Sequence, residues 1–141
     1  MNKNAIEYLT LSQEDLIKAG AFDIPMSIEA LKRGLFRFQE ERILFPDKIV
    51  QIFNDETQER INCLPATLLD EKICGVKWVS VFPPNPAKYG LQNLSAIIVL
   101  SEIEKGFPVC VMDGTLCSNI RVAAMGATAA EALSREDSET I

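Results

Sequence analysis

The chain has 141 residues, 48% hydrophobic and 24% charged, with a formal charge of −6 and a pI near 4.7. That is one domain's worth of sequence with enough apolar side chains for a core, and the acidic balance without any lysine or arginine run argues against nucleic-acid or anionic-membrane partners. Histidine is absent, which removes Ser-His-Asp and Cys-His nucleophile systems, a histidine base and histidine-ligated metals, and leaves Lys, Arg, Asp and Glu for any chemistry.

The start, Met1–Glu7, holds no apolar stretch of signal-peptide length, and no later segment has the length of a transmembrane helix, so the expected location is the cytoplasm. Ser12-Gln13-Glu14-Asp15 reads as a capping box with Asp in place of Glu, opening a short helix that Gly20 ends. Asp23 is placed to cap a second helix with Pro25 in its first turn. Ile28, Leu31, Leu35 and Phe38 then recur at helical spacing to about Glu41, and this helix is expected to cover a sheet.

Strands are expected at Lys48–Phe53, Arg60–Leu64, Lys72–Phe82, Ser95–Leu100 and Pro108–Met112, rich in Ile, Val and Phe, the last two forming a hairpin. Between the third and fourth, Pro83–Gly90 is too proline-rich for regular structure and is expected to be a surface loop. Cys63, Cys74, Cys110 and Cys117 match no zinc or C-x-x-C spacing, so buried free thiols are expected and no metal site. After Asp113-Gly114 a long helix is expected from about Thr115 to Leu133, with Ala123, Ala124, Gly126, Ala127, Ala129 and Ala130 leaving it little side-chain bulk. Polar residues 134–141 read as a linker, residues 1–133 as one domain. The class is α+β, a mixed or antiparallel sheet covered on one face by helices, with the other, apolar face used for dimerisation.

Two cations stand out. Lys77 lies mid-strand in the most apolar run, Ile73–Phe82, where neither face is suited to water. Its ammonium either reaches along a strand edge to solvent or meets an anion, since full burial disfavours the charged form. Arg121 stands among small residues of the alanine-rich helix, where it could fork onto a carboxylate or pair with one of the chain's acidic side chains.

Four segments in order, Arg60–Pro65 (RINCLP), Gly75–Ser80 (GVKWVS), Gly106–Leu116 (GFPVCVMDGTL) and Asn119–Ala124 (NIRVAA), resemble the first domain of the ornithine cyclodeaminase and mu-crystallin family. The resemblance implies a substrate-binding and dimerisation domain that continues, after Ile141, into a nucleotide-binding domain with a Gly-rich NAD or NADP turn and an acid-base aspartate; neither motif is in this sequence. Lys77 matches the family lysine at the reacting carbon and carboxylate, and so is implied as catalytic as well as substrate-binding. Arg121 matches the carboxylate-clamping arginine. Lys48 falls where many members have a second carboxylate-binding arginine, Asn62 where ornithine-converting members can place a glutamate, and Val122 where the family often has a cofactor-side threonine.

The activity that the resemblance implies is that of an NAD-dependent enzyme acting on an amino acid, a lyase converting ornithine to proline by deaminating cyclisation, of which this chain would be the first domain. The alternatives are a ketimine reductase or amino-acid dehydrogenase of the same family, and a non-catalytic dimerising domain that binds a small carboxylate. The expected partners are an amino-acid or carboxylate ligand and a second copy of the chain, with no tightly bound cofactor on this chain alone.

Overall fold

In the computed structural model residues 5–135, 137 and 138 are described; Met1–Asn4, and Glu136 and Glu139–Ile141 of the expected linker, lie outside the described residues. The chain runs β1 (Leu9–Leu11), α1 (Gln13–Lys18), α2 (Ile24–Gln39), β2 (Ile43–Leu44), β3 (Ile49–Asn54), β4 (Glu59–Leu68), β5 (Ile73–Val81), α3 (Asn85–Tyr89), β6 (Leu94–Glu102), β7 (Pro108–Asp113) and α4 (Thr115–Leu133). The α+β class stands as read, and the two leading caps form as their residues dictate. Ser12 Oγ accepts from Asp15 N at 3.2 Å while Ser12 N donates to Asp15 Oδ2 at 2.9 Å, and Asp23 Oδ1 accepts from Met26 N at 2.9 Å.

The sheet order is β1-β7-β6-β5-β4-β2, with β3 also on β4; every pairing is antiparallel except β1 with β7. Strand β4 is longer than its sequence pattern implied because it runs on through Pro65. On its outer side β3 pairs as far as Cys63 and β2 begins at Thr67, so the proline, which has no N–H to give, falls in the gap between them. The two- and three-residue strands β2 and β1 are too short to show a period and went unread.

Alternation along the registered strands sorts the sheet into two faces. Lys77, Gly75 and Val79 share one with Asn62, Leu64 and Ala66 of β4 and with Ala96 and Ile98 of β6; Trp78 and Ile97 lie on the other. The first face carries the helices. Leu16 of α1 and Leu116 and Ile120 of α4 form a buried cluster over it with Leu11, Ala21, Met112 and Cys117. The second face is open, with Trp78 41% and Ile97 48% exposed.

Two expectations need correction. The 83–90 segment is not free of regular structure: it contains α3, because Pro84 and Pro86 stand at its first positions, where no N–H is required, and Gly90 ends it at φ 65°. Helix α2 lies over the sheet as expected, but it buries no residue of its own, packs against α4 and stands off the strands across a cavity. It is tied along α4, by Lys32 Nζ to Glu131 Oε2 at 2.8 Å, and at its end to the turn between β4 and β5, by Arg37 Nη1 to Glu71 Oε1 at 2.6 Å. Of the four free thiols only Cys110 is buried.

Candidate functional site

The site is set by how α4 leaves β7. Asp113 Oδ1 caps the helix by accepting from Leu116 N at 2.9 Å. Gly114 N donates to Ala96 O at 2.8 Å, and Ala96 N donates to Thr115 Oγ1 at 2.9 Å. Gly114 lies so close to β6 that a Cβ there would stand 3.0 Å from Ala96 Cβ and 3.1 Å from the Ala96 and Ile97 carbonyl carbons. The first turn is thus pinned to the strand beside β5, and the helical repeat brings Ser118 and then Arg121 along the Lys77 side of the sheet.

Lys77 Nζ donates to Ser118 Oγ at 3.0 Å, and Ser118 is itself buried. Burial is the main influence holding the Lys77 ammonium below its ordinary pKa, the positive Arg121 pushes it the same way, and Cys117 pulls it weakly back. Burial likewise raises the Cys117 thiol, with Asp113 adding to the effect. Among the described residues neither Lys77 nor Arg121 takes part in an ion pair. The exposed Arg121 thus acts as an unpaired positive charge on the half-buried Lys77.

Asn62 lies on that face too, opposite Val79 and next along from the Leu64–Lys77 pair. Its Oδ1 is buried and has no hydrogen-bond partner among the described residues, an arrangement that costs on the order of 1–3 kcal/mol unless a donor arrives. Lys48 is exposed just before β3, beside the stretch of β4 that bears Asn62, with no hydrogen bond or ion pair to Lys77 or Arg121 among the described residues. Val122, 58% exposed, follows Arg121 on α4 and offers no polar group. Ser118 was missed from sequence; its signal was a hydroxyl one helical turn before Arg121 in a chain with a mid-strand lysine to satisfy.

Beside Arg121 the space widens into the cavity beneath α2, about 720 Å³, bounded by Leu31, Leu35 and Phe38 above, Ala66 and Leu68 below, and Ile120 and Met125 at the side. Arg121 is the one charged side chain among its lining residues. No helix is long and apolar enough to cross a membrane, among the described residues.

The profile of the ornithine cyclodeaminase/mu-crystallin family matches residues 12–141. The chain belongs to this family. Alanine dehydrogenase of Archaeoglobus fulgidus is 32% identical over 133 residues, which cover 94% of this chain and 39% of that protein. An archaeal alanine dehydrogenase dimer with bound NAD has a TM-score of 0.82 at 30% identity over 93% of this chain and 38% of its own. Delta(1)-pyrroline-2-carboxylate reductase of Thermococcus litoralis, in complex with NADH and L-proline, has a TM-score of 0.83 at 28% identity, covering 92% and 39%. An ornithine cyclodeaminase is among the relatives as well. The chain thus spans about two fifths of the length of the alanine dehydrogenases and the reductase.

Among the described residues the β7–α4 junction offers no cradle for a dinucleotide pyrophosphate. A pyrophosphate needs a glycine-rich turn with free N–H groups between a strand and a helix. At the β7–α4 junction the single Gly114 is closed against Ala96, and the N–H groups of Gly114 and Leu116 are already committed to Ala96 O and Asp113 Oδ1.

Proposed function

We propose that the chain forms the carboxylate-binding part of an NAD- or NADP-dependent enzyme of amino-acid metabolism that acts at the α-carbon of an amino or imino acid. The observation that carries this reading is the juxtaposition of Lys77 and Arg121, two cations without a counter-ion on the helix-covered face. Arg121 forks onto the carboxylate, and Lys77, steadied by Ser118 Oγ, adds a point charge and meets charge that develops at the adjacent carbon. Lys48 sits at the rim, and Val122 would border the cofactor. Asn62 Oδ1 is an acceptor for a substrate N–H.

That amide favours dehydrogenation or imine reduction over the cyclisation of ornithine, because a neutral group there gives the distal ammonium no opposing charge. Ornithine cyclodeamination is the second reading, supported by the ornithine cyclodeaminase among the relatives. Titration of acetate and L-proline against the chain, followed by NMR, tests the site. Arg121→Lys should weaken binding despite the retained charge, and Lys77→Met should abolish it with folding intact; unchanged affinities in both variants would refute the reading.

The same reading gives a chain with no turnover on its own, since its described residues build no dinucleotide cradle at the β7–α4 junction. Chain-dependent oxidation of alanine or ornithine with NAD or NADP would contradict it. A second copy covers the open sheet face with Trp78 and Ile97, as fits a solved relative that is a dimer; a stable monomer by light scattering at micromolar concentration would exclude that. The four free thiols suit the reducing cytoplasm.

A further inference from the structure

We infer that the cavity beneath α2 is a side-chain pocket, so that the ligand is an amino acid with a branched aliphatic or aromatic side chain; this rests on the carboxylate site proposed above. Along one face of β4 the residues pass from Asn62 through Leu64 to Ala66 and Leu68, a polar start beside Lys77 and an apolar end on the floor of the cavity. Arg121 belongs to both regions, lining the cavity while acting electrostatically on Lys77. A carboxylate paired with Arg121 would direct its apolar substituent into the space lined by Ala66, Leu31 and Ile120.

Size and charge agree with this ligand class. A volume of about 720 Å³ lies within the roughly 300–1,000 Å³ typical of small-molecule sites and far exceeds what a methyl group fills. The lining is apolar apart from a serine, a thiol and Arg121, so it rewards hydrocarbon and offers a distal ammonium nothing to pair with. Gly34 faces into the space, and an added Cβ there meets nothing within 4 Å, so the pocket can be narrowed from the α2 side without a clash.

The test is an NMR titration of the chain with glycine, L-alanine, L-leucine, L-phenylalanine and L-leucinol. Each buried methylene is worth about fourfold in affinity, so leucine should bind at least about tenfold tighter than alanine, and leucinol, without the carboxylate, far more weakly than leucine. Gly34→Phe should collapse the leucine-to-alanine ratio toward one. Equal affinities from glycine to phenylalanine would overturn the pocket while leaving the carboxylate site standing. Leucinol binding as tightly as leucine would also overturn it, showing an apolar groove uncoupled from the cations. If none of the amino acids binds, the carboxylate site fails and the pocket with it.

Discussion

Helices α4 and α2 lie over the same face of one sheet and meet it in opposite ways. The first is rich in alanine yet lies close, with Ala124 1%, Leu116 7% and Ile120 9% exposed; the second carries Leu31, Leu35 and Phe38 yet buries none of its residues. Small side chains let a helix axis approach until its polar atoms reach a strand, which is how Ser118 Oγ comes within 3.0 Å of Lys77 Nζ. Large side chains on a helix tethered at its end and along its neighbour leave a space instead. Apolar content alone therefore does not tell which helix makes the core and which makes the pocket.

Substitutions break or sharpen that contrast. Leu116→Ala removes a buried side chain from the cluster under α4 and should cost about 2–4 kcal/mol in urea unfolding, whereas Leu35→Ala, at a residue 45% exposed, should cost less than about 1 kcal/mol. Comparable losses would mean that α2 is packed as tightly as α4. Next in size is Gly114→Ala. The new Cβ meets the β6 backbone, which cannot move aside as a side chain would, so a loss of about 1–3 kcal/mol is expected together with a displaced α4 and a weakened Lys77–Ser118 bond; chemical shifts on α4 would report it.

Gly34→Ala acts the other way. It places a methyl in open space on α2 and should raise the melting temperature through helix propensity, by about 0.5–1 kcal/mol. The smallest effect is a slope. Because the folded chain holds the Lys77 proton less tightly than the unfolded chain does, the protonated lysine opposes folding, and that opposition is relieved as pH rises through the lowered value toward the ordinary 10.5. Over that window the wild type should gain stability relative to Lys77→Met, while its carboxylate binding falls as the ammonium discharges. A stability difference independent of pH would mean that Lys77 is solvated like a surface lysine.

Much of this was legible in the residues, for local reasons. The capping box at Ser12, the Asp23 cap and the span Thr115–Leu133 follow from side chains that bond their own backbone, and the five longer strands follow from apolar runs. The short strands β1 and β2 and the helix in 84–90 escaped because pieces of five residues or fewer carry no period, and because prolines that forbid a helix interior are welcome at its start. Ser118 escaped because an isolated serine on a helix announces nothing until a partner from another strand arrives.

By itself the sequence determined the two cations, the absence of histidine, the small-residue helix and the membership of the family, since these are properties of residue identity and order. Which face of the sheet the helices cover, that Lys77 meets Ser118 forty-one residues away, that Asn62 Oδ1 is left without a donor, and that α2 stands off to leave about 720 Å³ beside Arg121 were decided by tertiary structure. Each depends on strand register and on how near two helices come to one sheet. Those distances follow from packing across the whole fold, and no local stretch of chain encodes them.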